Sequence, residues 1–123
     1  MIHLDTNFLI DALVADSSQE AQIVAWLGTG ESLSISTVAW GEFFCGPISA
    51  TAEGFARLML PAAVPLERAD AEKGARFFNQ TGRRSKSYAD CCIAAVAIRL
   101  GAPLASSNRD DFAPMVPHGL VLA

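Results

Sequence analysis

The chain has 123 residues, 51% of them hydrophobic and 18% charged, with nine Lys and Arg against thirteen Asp and Glu for a formal net charge of −4. That suits one globular domain spanning 1–123, is too apolar for disorder, and does not mark a nucleic-acid binder by charge. No apolar run reaches the roughly 18 residues of a membrane span, the N-terminus lacks the basic start and cleavage site of a signal peptide, and three cysteines form neither a disulfide framework nor a zinc spacing, so a cytoplasmic protein with no membrane partner is expected.

In chain order, residues 2–4 predict a strand and 7–13 a short helix. Ser17-Ser18-Gln19-Glu20 is a capping-box pattern. It opens a helix with Ile23, Trp26 and Leu27 on one face, stopping near Gly28 and Gly30. SLSIS alternates as a β run, and Ser36 or Thr37 can cap the helix VAWGEFFCG. After a break at Pro47, TAEGFARLML predicts a helix ended by Pro61, and AAVPLE a short, weak strand. RADAEKGARFFNQTG predicts a helix closed by Gly82. SYADCCIAAVAIRLG is apolar nearly all round and predicts a buried helix ending at Gly101. APLASS predicts a strand, DDFA a turn or short helix, and LVLA a last strand. Alternating strands and helices imply an α/β fold with a parallel sheet covered on both faces. In such sheets ligands gather at the carboxyl ends of the strands.

Several acids fall at those ends. Asp5 follows the first strand, Glu42 lies in a helix beside Phe43 and Phe44, Asp90 begins the apolar helix, and Asp110 and Asp111 follow APLASS. Each has a plainer reading: Asp5 as a helix cap, Glu42 on a solvated face, Asp90 as part of a Ser87-Tyr88-Ala89-Asp90 capping box, Asp110 or Asp111 as a turn residue. Together they suggest more, because buried carboxylates need a proton, a cation or a metal. No Lys or Arg adjoins Asp5 or Glu42 in sequence. An all-oxygen set suits a hard divalent cation.

DTN, then T-x-x-x-x-E-x-x-x-G, then D-x-x-I-A-A, then N-x-x-D-F run through the chain in this order. In that combination the sequence resembles the PIN-domain family, and within it the VapC-type toxins of toxin–antitoxin pairs. The resemblance implies a three-layer α/β/α sandwich around a central, mainly parallel sheet of about five short strands. It implies Mg²⁺- or Mn²⁺-dependent cleavage of RNA, with an antitoxin protein blocking the site, and a homodimer joined into toxin–antitoxin hetero-oligomers. By position, Asp5, Glu42 and Asp90 match the family's metal-site acids. The fourth acidic position varies, and here Asp111 is the choice, with Asn108 as an auxiliary group. Thr6 matches the hydroxyl residue after the first acid, and Ser106 stands where the family usually has Thr.

Under that reading Asp5 and Asp90 are the main ligands, and Glu42 and Asp111 orient waters or complete a second metal position. Arg83, Arg84, Lys86 and Arg109 could contact the RNA backbone, or could be ordinary solvated charges. His3 is expected to be a packed or edge residue, His118 exposed, the cysteines small core residues, and Trp26 and Trp40 core or interface residues. Helices 7–15, 37–46 and 51–60 carry more large apolar residues than one small sheet needs, which suggests a groove for a partner's amphipathic helix. Two rivals are a phosphoacceptor receiver domain and a catalytically silent PIN-like binding module. A receiver would want an acidic pair near the end of strand one and a Lys after a late strand, and neither is here.

Overall fold

The computed structural model describes residues 1–81 and 87–123. Three strands form one parallel sheet in the order β2-β1-β3: β1 is Ile2–Leu4, β2 Leu33–Ile35 and β3 Leu104–Ala105. Ile2 pairs with Leu33 and Leu4 with Ile35 on one side of β1, while His3 pairs with Leu104 and Leu4 with Ala105 on the other. Successive side chains of a strand point to opposite faces, and every residue of β1 and β3 is buried, so both faces of the sheet are covered.

The expected five strands are three strands and two single-residue bridges. AAVPLE contributes only Val64, paired with Ser36, and LVLA only Leu122, paired with Leu104; both are parallel. The ladder goes no further because Thr37 opens α3, and the next N–H facing it, that of Leu66, donates to the Thr37 hydroxyl at 3.2 Å instead of to a backbone carbonyl.

The helices are α1 (Thr6–Ala12), α2 (Ser18–Gly28), α3 (Thr37–Phe44), α4 (Ala50–Met59), α5 (Arg68–Gln80), α6 (Tyr88–Leu100) and α7 (Arg109–Phe112), followed by a 3₁₀ turn, Ala113–His118. Ser17, Ser36, Ser49 and Ser87 each cap a helix by accepting the N–H of Glu20, Ala39, Ala52 and Asp90. Each such cap stabilises by about 1 kcal/mol. The expected closure of α5 at Gly82 lies outside the described residues. Among the described residues no helix is long and apolar enough to cross a membrane.

Helix α6 is the centre of the core, buried from Cys91 through Ala97. It packs against α5 at Gly74, where an added Cβ would meet Cys92 Sγ at 3.0 Å, Cys92 N at 3.2 Å and Cys91 C at 3.4 Å. Two of those atoms are backbone and cannot swing away. Gly74→Ala should therefore lower stability by about 1 kcal/mol or more, despite the better helix propensity of Ala. A fall of several degrees in melting temperature checks this; an unchanged or higher value would mean that the two helices slide apart easily.

Some side chains depart from expectation. Cys91 and Cys92 are core residues, but Cys45 is exposed. Of the three residues assigned to the inner face of α2, Ile23 is buried, Trp26 is half-buried against Phe8, and Leu27 is exposed. His3 is fully buried on the central strand, with Nδ1 2.7 Å from Ser34 Oγ, and burial first, then the charge of Arg99, lowers its pKa to about 4. His118 is exposed, as expected.

Candidate functional site

Strand β1 delivers Asp5 to the carboxyl end of the sheet's centre. Its backbone is extended and its N–H donates to Ala105 O of β3, so it still belongs to the sheet, while the next residue already opens α1. Its side chain is 3% exposed. Oδ1 accepts the N–H of Thr6 at 2.7 Å, and Oδ2 accepts the hydroxyl of Ser106 at 2.9 Å. Asp5 thus is a helix N-cap, and it is also a buried anion.

Glu42 reaches the same place from α3. It is exposed, but its Oε1 accepts the Thr6 hydroxyl at 2.9 Å. Thr6 therefore joins the first two acids: its N–H holds Asp5 and its Oγ1 holds Glu42. Asp90 comes from the first turn of α6, half-buried, with its N–H on the capping hydroxyl of Ser87 at 3.1 Å. Burial, above all, raises the Asp5 pKa to about 6; the charges of Asp90 and Glu42 push the same way, against the hydrogen bonds from Ser106 and Thr6. Asp5, Glu42 and Asp90 are thus within electrostatic reach of one another. They form an open arrangement: among the described residues, no three His, Cys, Asp or Glu side chains stand grouped to hold a metal ion.

The β3–α7 loop completes the site. Asn108 N–H donates to Ser106 Oγ at 2.9 Å, and Asp111 N–H donates to Asn108 O at 3.0 Å. Asp111 is thereby tied to Asp5 through Asn108 and the Ser106 hydroxyl. Residues 107–111 line an open, polar depression of about 440 Å³. Arg109 is exposed and its guanidinium donates to Ala123 O. Arg83, Arg84 and Lys86 lie outside the described residues. Sequence reading missed Gln19, whose Nε2 donates to Ser107 Oγ at 3.3 Å and so ties α2 to this loop. Nothing local signals a contact between residues so far apart in the chain.

The donor set fits a hard divalent cation. The anion at its centre is buried, its neighbours of like charge raise its proton affinity, and among the described residues only a hydroxyl and a backbone N–H offset that charge.

Away from this edge the helices leave apolar surface open. A groove of about 420 Å³ runs between α1, α3 and α4 over Ile10, Leu13, Val14, Phe43 and Ile48. A second, of about 350 Å³, shares Leu13 and continues over Ile23, Val24, Leu27, Phe55 and Met59. Phe55 is 57% exposed and Leu58 80%.

A family model described as PIN domain matches residues 2–115. Among curated proteins no relative matches the chain. Among solved structures the chain is similar to VapBC2 from Rickettsia felis bound to a DNA fragment from their promoter, with a TM-score of 0.77 and 16% identity over 100% of this chain and 98% of the other. It is also similar to FitAcB from Neisseria gonorrhoeae (TM-score 0.72, 22% identity, 100% and 97% covered). The VapBC-1 structure from nontypeable Haemophilus influenzae gives a TM-score of 0.72 at 20% identity, again over 100% and 97%. At these identities the likeness is one of fold.

Proposed function

This chain belongs to the PIN-domain family, and from that premise we propose that it is a Mg²⁺- or Mn²⁺-dependent endoribonuclease, the toxin half of a toxin–antitoxin pair. One observation carries the reading: a buried carboxylate, Asp5, at the end of the central strand, with Glu42 and Asp90 in electrostatic reach and, among the described residues, only neutral hydrogen-bond donors on it. The receiver-domain alternative falls with the family match.

Asp5 and Asp90 would hold the cation, with Glu42 and Asp111 as further oxygen donors. Bound there, a divalent ion would acidify water and offset phosphate charge. The protein's own part is to position. Thr6 holds Asp5 and Glu42 in one frame, and Ser106 ties Asp5 to the loop carrying Asn108 and Asp111. The formal charge of −4 is no obstacle to an RNA substrate, because four of the thirteen acids are assigned to this site. The open arrangement of the acids favours a second reading, a PIN-like module that binds without cleaving. Metal-dependent cleavage of an RNA panel by the purified chain separates the two: cleavage lost in chelator supports the nuclease, and none with either metal supports the binder.

A cation bound only by the native state stabilises it, by about 2.7 kcal/mol at a hundred times its Kd. Added Mn²⁺ should raise the wild-type melting temperature by several degrees and that of Asp90→Asn much less. Equal shifts would remove Asp90 from the site.

The grooves around α4 are where an antitoxin's amphipathic helix would lie. The similar structures include a toxin–antitoxin complex and a member of the VapBC family of toxin–antitoxin systems. A Lys or Arg from the antitoxin, reaching the acids, would compete with metal and block phosphate entry. Co-expression with an antitoxin partner should give a soluble, inactive complex, a hetero-oligomer built on a toxin dimer, and excess Mn²⁺ should partly relieve the inhibition. An antitoxin without any basic residue in its tail that still inhibits fully would leave only steric blocking.

A further inference from the structure

Resting on the metal-site reading above, we infer that Ser106 is the positioning residue of the site, bracing the Asp5 carboxylate against the β3–α7 loop, and that residue 108 serves this brace through its backbone N–H rather than its side-chain amide. Ser106 is 7% exposed at the end of β3. Its hydroxyl has one proton and two lone pairs. The Asn108 N–H takes a lone pair at 2.9 Å, and the proton goes to Asp5 Oδ2 at 2.9 Å. No other assignment satisfies both partners, since an ionised carboxylate only accepts and a backbone N–H only donates.

The consequence for Asp5 is geometric. A carboxylate held by one hydrogen bond can still turn about its Cβ–Cγ bond. Here Thr6 N–H holds Oδ1 and Ser106 holds Oδ2, so the plane is fixed. A lone pair on each oxygen remains for a cation. The consequence for the loop is equally direct. The Asn108 side chain makes no capping bond to α7, and the residue is exposed. The loop is anchored by the Ser106–Asn108 bond and, from the far side, by Gln19 on Ser107. Asp111 then hangs on Asn108 O by its own N–H. One buried hydroxyl thereby sets both the orientation of the first acid and the position of the loop that bears the fourth.

The test is Mn²⁺ affinity by calorimetry, with circular dichroism as the check on folding, in wild type, Ser106→Ala, Ser106→Thr and Asn108→Ala. Loss of a group that orients a ligand typically weakens metal binding about 10- to 100-fold, so Ser106→Ala should fall in that range while Ser106→Thr and Asn108→Ala stay within about threefold of wild type. Ser106→Ala binding like wild type overturns the brace. Asn108→Ala losing as much as Ser106→Ala makes the amide itself a metal group and overturns the backbone role. A wild-type protein that binds no Mn²⁺ is a different result: it removes the metal site, and the brace with it.

Discussion

Asp5→Asn should abolish metal-dependent RNA cleavage, by about a thousandfold or more, and at the same time make the metal-free protein more stable. The two effects share one cause. Folding moves the Asp5 carboxylate from water to a site 3% exposed, beside two other acids, and its pKa rises from 3.8 to about 6. A raised pKa on an acid means that the folded state holds the proton more tightly than the unfolded one. Stability therefore falls as pH rises from about 4 to about 6, and above that window the full cost of the buried charge is present, on the order of 3 kcal/mol. Asparagine keeps the shape and drops the charge. In chelator at pH 8, Asp5→Asn should melt several degrees above wild type; near pH 4, where the folded wild type is already protonated at Asp5, the gap should close. Saturating Mn²⁺ should raise the wild type and leave Asp5→Asn unmoved. His118→Ala, a change on the exposed 3₁₀ turn, should leave cleavage intact. Full activity in Asp5→Asn would end the site assignment. Asp5→Asn melting no higher than wild type in chelator would mean that the carboxylate is better solvated than its burial implies.

Much of this site was legible in the sequence, for a physical reason. Asp5, Thr6, Ser87 and Asp90 lie where a strand ends or a helix begins, and such boundaries follow from short-range patterns of apolar spacing and capping. In a parallel sheet those boundaries fall at one edge. Glu42 needed more, since its position depends on a hydroxyl on α1, and the motif spacing rather than any local pattern pointed to it. The bond from Ser106 to Asp5 joins residues far apart in the chain, and the residue type at 106 was flagged without its partner. The two outer strands are shorter than expected because AAVPLE and LVLA have β-like composition, whereas a ladder needs successive N–H groups that find carbonyls, and past Val64 the Leu66 N–H goes to the Thr37 hydroxyl. Residue type alone assigns Cys45 to the core, but it caps the end of α3 and is exposed.

Asp70→Asn should be among the most destabilising single changes in the chain, although no sequence pattern marks it. Asp70 sits in the first turn of α5 and is 3% exposed. Glu67 N–H donates to its Oδ2 at 2.9 Å, half of a capping box that fixes the start of the helix. The Arg99 guanidinium, from the last turn of α6, donates through Nε to Oδ1 and Oδ2 at 3.1 Å each, and its NH2 nitrogen lies 3.0 Å from Oδ2. The same guanidinium donates to Pro65 O at 2.9 Å, next to the Val64 bridge. One ion pair thus holds together α5, α6 and the segment that pairs with the end of β2. Burial alone would raise the Asp70 pKa, but the hydrogen bonds from Arg99 and Glu67 outweigh it and lower the pKa below its ordinary value. A lowered acid pKa contributes stability that is fully present above the unfolded value near 4 and is lost as pH falls through the folded value beneath it. Breaking a buried pair by removing one charge costs about 3–5 kcal/mol; with the Arg99 side chain still 30% exposed, about 2–4 kcal/mol is expected here. That corresponds to a fall of roughly 10 °C in melting temperature at neutral pH. The deficit should shrink in acid, as the wild type loses the same charge. Removing both partners in Asp70→Asn with Arg99→Met should cost less than the two single changes summed, because the buried Asp70 charge is then not left without its guanidinium, while Arg99 in Asp70→Asn still has Glu67 3.4 Å away. Mn²⁺ affinity, read below the lowered melting point, should be unchanged, since the pair does not touch Asp5. A fall of under 1 °C would mean that the pair does little more than an exposed one, and strict additivity in the double variant would mean that the two residues act separately.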